Sequence, residues 1–260
     1  MRVSISKIKL FKACRRAYEL KYVYGLEPVE KAEALQTGSS YHELLETLLT
    51  DGDLYAVEED YSKEQAMASA YWKYIFPQFK VSACEKWFEK NLNGNKIVGI
   101  VDGIADDGTL VEHKTTSMDT FEYEAGLERD EQILMYMWLT GARQMWYTVC
   151  RKPNIRQKKN ESEKEFFQRM VEWYDEDTDS KIRAFLISRT DEEVAEFEKS
   201  LAIVVDEMEC APHEAMYRNT CHCKTWGRLC EYAPVCLHYD PNQDYIEFTR
   251  KETEYGTEED

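Results

Sequence analysis

Between Val81 and Lys114 the chain changes from helical spacing to a period of two, and this stretch constrains the fold more than any other. Val81 to Leu92 reads as a strand, Asn93-Gly94 as a tight hairpin turn, and Lys96 to Ile104 as the returning strand. Asp106-Asp107-Gly108 makes a second turn, and Thr109 to Lys114 a third strand. Helices flank this meander. Ser6 to Tyr24 carries Leu10, Phe11, Cys14, Ala17 and Tyr18 at helical spacing and stops at Gly25. Ser40-Tyr41-His42-Glu43 reads as the capping box of a second helix ending at Asp51-Gly52, and a third runs from Ser62 to just before Pro77. After the meander come a helix from about Arg129 to Thr140, ended by Gly141, and a strand from Gln144 to Cys150. This order predicts an α/β domain with a mixed central sheet flanked by helices. Further on lie a helix from about Glu161 to Trp173, a strand from Ile182 to Ser188, a long helix from Thr190 to about Met208, and a cysteine cluster.

Composition narrows the function classes. The 260 residues suffice for one large domain or two small ones, and 43% apolar with 13% aromatic content excludes a disordered chain. The longest apolar run, Ile133 to Leu139, is far short of the roughly 20 residues a bilayer-spanning helix needs. No membrane partner is expected, and the N-terminus has no secretory signal pattern, so the expected compartment is the reducing cytoplasm. In that setting the crowding of four of the eight Cys into Cys221 to Cys236 points to metal before disulfides. The net charge of −17 should repel nucleic acid unless basic groups are gathered locally. The most basic stretch is Arg151-Lys152-Pro153-Asn154-Ile155-Arg156-Gln157-Lys158-Lys159.

Side chains alternate along a strand, so Glu112 and Lys114 share a face of the third strand, and the hairpin can return Asp102 beside Glu112. Two carboxylates and a lysine at one end of a sheet suit a hard divalent cation that polarises a phosphoryl oxygen and activates water. Alone, the triplet reads as well as a solvated strand face with an ion pair. His42 follows Gly38 in Gly-Ser-Ser-Tyr-His, and Gln132 and Tyr136 share one face of the helix after the Glu-x-Lys strand. Glu85 on the first strand is a further candidate acid, with a cross-strand ion pair as the simpler reading.

The ordered set Gly38-x-x-x-His42, Asp102 in Gly-Ile-Val-Asp-Gly, Glu112-x-Lys114 and Gln132-x-x-x-Tyr136 resembles the PD-(D/E)XK nuclease superfamily in its RecB-like branch. That branch includes the nuclease domains of recombination helicase–nucleases, CRISPR-associated adaptation exonucleases and phage exonucleases. The basic Arg-Lys-Pro run looks most like the phage-type members. Val101-Asp102 replaces the signature Pro-Asp. The resemblance implies a restriction-endonuclease-like core in which Asp102 and Glu112 ligate the metal, His42 adds an imidazole and the His113 carbonyl completes the shell. A nitrogen among oxygens makes Mn²⁺ an alternative to Mg²⁺. Lys114 would position or activate the attacking water, and Gln132 and Tyr136 would position the DNA end or the lysine. Arg151, Lys152, Arg156, Lys158 and Lys159 would form a local DNA path.

Cys223, Cys230 and Cys236 need a fourth ligand to close a four-thiolate site. The local choice, Cys221, favours a small zinc site. The distant choice is Cys14. In RecB-like iron–sulfur nucleases one Cys before the nuclease motifs joins three after them, so the resemblance implies a 4Fe–4S cluster on Cys14, Cys223, Cys230 and Cys236. Such a cluster would staple the N-terminal to the C-terminal segment across 209 positions. Cys84, Cys150 and Cys210 read as small apolar residues, and His222 and His238 stand near the cluster. The resulting organisation is a nuclease domain over 1–240, with a catalytic core at 38–150, an iron–sulfur module at 1–24 plus 210–240, and a polar acidic tail at 241–260. The expected function is a metal-dependent exonuclease acting on single-stranded DNA or free DNA ends in recombination, repair or phage DNA processing, with room for a recombination or helicase partner. The alternatives are a DNA-end-binding iron–sulfur module and a zinc-stabilised assembly factor.

Overall fold

The computed structural model describes residues 1–30, 33–52, 60–211, 216–225 and 227–252. In chain order the elements begin with β1 (Arg2–Ser4), α1 (Ile5–Ala13), α2 (Arg15–Tyr18) leading into a π-helical turn (Glu19–Val23), and β2 (Leu26–Pro28). Then come α3 (Glu33–Asp51), α4 (Lys63–Tyr74), β3 (Val81–Leu92), β4 (Asn95–Ala105) and β5 (Leu110–Thr116). α5 (Thr120–Leu127), α6 (Glu131–Thr140), β6 (Gln144–Arg151), α7 (Glu163–Trp173), β7 (Ile182–Ser188) and α8 (Asp191–Cys210) follow. The chain closes with β8 (Lys224–Thr225), β9 (Arg228–Leu229), α9 (Ala233–Cys236) and β10 (Phe248–Arg250). Packing divides it into two compact units, Ala32–Phe88 with Gly99–Ala195, and Met1–Lys31 with Glu89–Val98 and Glu196–Asp260.

In the first of these units the strand order is β4-β5-β6-β7. β4 and β5 run antiparallel, β5 and β6 parallel, and β6 and β7 antiparallel, so the sheet is mixed as the element order requires. The turn that leads from β3 into β4 has the expected chemistry. Asn93 (φ 49°) and Gly94 (φ 82°) are both left-handed, as a two-residue hairpin between β3 and β4 demands. One core packs Tyr41, Leu45 and Leu48 of α3 and Met67, Ala70 and Tyr71 of α4 against Cys150 and Ile182 of the sheet. Ser162 and Glu165 form a reciprocal capping box on α7, and Thr190 and Glu193 do the same for α8.

Two local expectations are corrected here. The Ser40 capping box is no helix start, because α3 begins at Glu33. Its buried stripe of Thr37, Tyr41, Leu45 and Leu48 already starts before Ser40, and burial of that face carries the helix through the small residues 38–40. α5 was not expected at all: it buries only Thr120 and Leu127 and so leaves little periodic signal, although Asp119 caps it through the Phe121 amide at 2.9 Å.

In the other unit β1 lies parallel to the first part of β4, with Arg2↔Lys96, Val3↔Ile97 and Ser4↔Val98. The single helix expected over Ser6 to Tyr24 is broken at Cys14, which is extended (φ −160°, ψ 110°) between α1 and α2. The C-terminal segment satisfies the backbone groups this break exposes. Asn219 donates its side-chain amide to the Ala13 carbonyl at 2.8 Å, and the Arg16 amide donates to the Tyr217 carbonyl at 3.2 Å. The predicted tail from 241 is also shortened. Phe248–Arg250 pairs antiparallel with Leu26–Pro28, and Phe248 is buried against Tyr232 at a ring separation of 5.8 Å. The last residues of that tail, 253–260, lie outside the described residues. Among the scattered cysteines, Cys150 is buried and Cys84 half-buried, but Cys210 is exposed at the end of α8 and packs nothing away.

Candidate active site

The register pair Gly103↔Val111 places Asp102 of β4 across from Glu112 of β5 one step further along. Alternation then puts Lys114 on the Glu112 side of β5, where its ammonium bonds Glu112 Oε1. Gln132 Nε2 donates to the same oxygen at 2.6 Å and lies 3.2 Å from the Tyr136 hydroxyl. Glu112 is 1% exposed, and its other oxygen, Oε2, is buried with no hydrogen-bond partner among the described residues. A buried carboxylate oxygen so placed has the chemistry of a ligand for a hard cation.

Asp102 Oδ2 accepts the His113 backbone amide at 2.8 Å and lies 3.6 Å from His42 Nδ1. His42 therefore reaches the site from the middle of α3, not from the first turn of a helix. The His113 imidazole turns away, with Nδ1 2.7 Å from Thr148 Oγ1 and its ring edge-on to Tyr71. Its backbone amide, and not its imidazole, meets Asp102. Thr148 also donates to the Glu112 carbonyl at 3.3 Å, which ties β6 to the ligand-bearing part of β5. Among the described residues Glu85 makes no cross-strand ion pair. It stands at φ 48° in β3, and its carboxylate, His42 and Asp102 bring their ligand atoms within 4.8 Å of one another. A left-handed glutamate in a strand costs about 1–3 kcal/mol, a cost concentrated at functional positions.

Burial and mutual repulsion tune these groups. Desolvation and then the Asp102 charge push Glu112 up to about 7. Desolvation pushes Asp102 to about 6, against the pull of Lys114 and the His113 amide. Burial would lower Lys114, but Glu112 and Asp102 outweigh it and hold the ammonium more firmly protonated than usual. Burial and then Lys114 lower His42, which keeps its imidazole neutral and able to ligate.

Residues with no motif of their own position this set. Asp130 caps α6 by accepting the Gln132 amide at 3.1 Å, and Tyr147 of β6 donates to its other oxygen at 3.0 Å. Gly99 of β4 lets α6 approach closely: a Cβ there would sit 2.8 Å from Tyr136 Cε1 and 3.0 Å from Leu139 Cδ1. The glycines of Gly-Ile-Val-Asp-Gly were the available sequence signal for this contact.

The basic run starts where β6 ends, and the register Lys114↔Val149 and Thr116↔Arg151 puts that end level with the lysine of the site. Arg151 lies 3.8 Å from Asp119 and Lys152 donates its amide to the Thr116 carbonyl at 2.7 Å, so the first two residues are anchored to the segment after β5. Arg156, Lys158 and Lys159 are exposed.

Cys14, Cys223, Cys230 and Cys236 line one cavity of about 30 Å³, together with Asn219 and His222. The Asn219 amide donates to Cys14 Sγ at 3.4 Å, the Cys230 amide to the Cys223 carbonyl at 2.9 Å, and the Arg218 guanidinium to the Cys236 carbonyl. Cys221 is exposed, and among the described residues neither it nor His238 lines that cavity.

No curated protein matches the chain by sequence. Among solved structures, a candidate exonuclease from Eubacterium rectale is similar over 94% of this chain and 90% of its own, at 13% identity and a TM-score of 0.53, and shares the fold. An alkaline exonuclease from Laribacter hongkongensis matches at 15% identity and TM-score 0.37, covering 80% of this chain and 88% of that one. A phage-related exonuclease from Haemophilus somnus 129PT matches at 16% and 0.36, covering 74% and 95%. The family model that fits the sequence extends well beyond the four motifs, over residues 2–237, and it makes this chain a member of the PD-(D/E)XK nuclease superfamily.

Proposed function

We propose that the chain is a divalent-metal-dependent deoxyribonuclease that hydrolyses phosphodiester bonds from DNA ends. The buried, unpartnered Oε2 of Glu112 beside Asp102 carries this reading, since the pair fits a Mg²⁺ or Mn²⁺ ion held with His42 and the His113 carbonyl. Such an ion, when bound, polarises a phosphoryl oxygen and lowers the pKa of a coordinated water. The other groups have separable tasks. Gln132 and Lys114 both hold Glu112 Oε1, which fixes the carboxylate and leaves Oε2 to ligate. Lys114, bonded to Glu112 beside Asp102, stands where it stabilises charge developing on the phosphate and positions or activates the attacking water. Tyr136, kept neutral by burial and by Glu112, supports the Gln132 amide. The exposed Arg156, Lys158 and Lys159 supply a local positive path in a chain of charge −17.

The four thiols around one cavity fit a 4Fe–4S cluster on Cys14, Cys223, Cys230 and Cys236, which would hold the broken N-terminal helix against the C-terminal segment. End-labelled linear DNA, single- and double-stranded, and a covalently closed circle of the same sequence test the nuclease reading in the presence of Mg²⁺ or Mn²⁺. Loss of the linear substrates with survival of the circle is expected. Intact linear DNA with the metal-loaded protein would remove the assignment, and rapid nicking of the circle would make the enzyme an endonuclease.

A further inference from the structure

Contacts between the early and late walls of the cysteine cavity converge on Asn219. Its backbone amide donates to Cys14 Sγ at 3.4 Å, and its side-chain Nδ2 donates to the Ala13 carbonyl, the last of α1, at 2.8 Å. In the other direction its Oδ1 accepts the Cys221 amide at 3.2 Å, and its carbonyl accepts the Cys223 thiol at 3.8 Å. Asn219 therefore fixes Cys14 and the start of the cysteine-rich segment against each other, although 205 positions separate it from Cys14. The bond to the Cys221 amide also opens the short turn Thr220–His222. In that turn Cys221 is exposed and is not among the described residues that line the cavity, whereas Cys223 lines it.

We infer that Asn219 is a positioning residue that chooses the ligands: it seats Cys14 beside Cys223 and holds Cys221 away. The inference rests on the cluster reading of the four cysteines. Sequence spacing leaves two ways to close a four-thiolate site, distant through Cys14 or local through Cys221, and both candidates are bonded to this one residue. Residues that orient metal ligands from outside the coordination shell alter metal affinity when removed. An N–H donor on a ligating sulfur also stabilises the added negative charge of a reduced cluster, so its loss makes the potential more negative. Truncation at Cβ removes the side-chain bonds to Ala13 and Cys221 together. Cys14 is then no longer held against the Asn219 amide, and the Cys221 thiol is free to turn inward.

The test reconstitutes the full chain anaerobically with ferrous iron and sulfide. It reads iron and sulfide content, the rate of iron release to a chelator and the reduction potential, with circular dichroism to verify folding. Asn219→Ala should release iron about 10–100-fold faster than wild type and have a more negative potential. Adding Cys221→Ala to that variant should lower its metal content further, whereas Cys221→Ala alone should not. Phe248→Leu, which trims a buried ring in the same unit, should lower the melting point and leave the potential unchanged. If Asn219→Ala does not fold, Asn219→Asp, which keeps the acceptor for Cys221 and loses the donor to Ala13, is read for release and potential instead. A folded variant at position 219 with wild-type release and potential overturns the assignment, as does a double variant no poorer in metal than Asn219→Ala. The two readings fail distinguishably. A wild type that takes up no iron and sulfide removes the cluster reading and this inference with it, whereas a loaded wild type with an indifferent Asn219→Ala removes the inference alone.

Discussion

The two oxygens of Glu112 have opposite surroundings, one crowded by Lys114 and Gln132 and one buried without a hydrogen-bond partner among the described residues. The consequence is measurable in the metal-free protein. Glu112 and Asp102, pushed up to about 7 and about 6, lie above the roughly 4 expected of unfolded carboxylates. The folded chain therefore holds protons that the unfolded chain releases. The stability these groups contribute is fully present below about pH 4 and is lost as pH rises through 6 to 7. Asp102→Asn removes one buried charge, and each pKa unit is about 1.4 kcal/mol. The metal-free variant should then melt about 3–6 °C above wild type at pH 8 and no higher at pH 4, as thermal melts at both values will record. Mn²⁺ should stabilise wild type at pH 8 and have little effect at pH 4, where protons occupy the ligands. Equal melting points for variant and wild type at pH 8 would show that Asp102 carries no such burden.

At the scale of elements, the site depends on how closely α6 approaches β4. The contact is made at Gly99, where any side chain meets Tyr136 and Leu139. Gly99→Val should therefore push α6 away and carry Gln132 off Glu112. Overpacking of this kind typically costs about 1–3 kcal/mol. Cleavage should fall much further than stability does, because Gln132 orients a metal ligand. Melting curves and turnover measured on the same preparation separate the two effects, and normal turnover in a destabilised Gly99→Val protein would show that the α6 contact does not set ligand orientation. A similar logic explains α3: its buried stripe from Thr37 to Leu48, and not the Ser40 capping pattern, decides where the helix begins and so places His42 in its middle.

For the molecule as a whole, an early and a late segment of the chain meet in one unit. β2 pairs with β10, and Cys14 shares a cavity with Cys223, Cys230 and Cys236. A cluster drawing on both ends should depend on Cys14, whereas a local zinc knuckle of Cys221, Cys223, Cys230 and Cys236 should not. Cys14→Ala is expected to reduce bound iron and to lower stability by about 2–5 kcal/mol, by analogy with loss of a disulfide. Cys221→Ala, at an exposed thiol, should change neither. Iron, sulfide and zinc contents with melting curves of both variants decide the matter. Metal lost from Cys221→Ala and kept in Cys14→Ala would replace the staple with the knuckle.

What the sequence determined by itself was local or periodic. Asn93-Gly94 and Asp106-Asp107-Gly108 dictate the turns of the meander because few residues accept positive φ, and alternation alone puts Glu112 and Lys114 on one face. The hairpin return likewise brought Asp102 to Glu112, and the 3.6 period put Gln132 and Tyr136 together. Only the tertiary structure decided the rest. The break at Cys14 exists because Asn219 and Tyr217, some 200 positions away, satisfy the backbone there. Glu85 joins His42 and Asp102 because three elements distant in sequence converge, and no spacing rule encodes a distance between separate elements. Phe248 pairs a tail that composition marked as polar, since one buried aromatic and three ladder positions outweigh its charged neighbours. Turn chemistry and side-chain alternation act within a few residues, so a sequence displays them; long-range burial is settled only when the chain closes on itself.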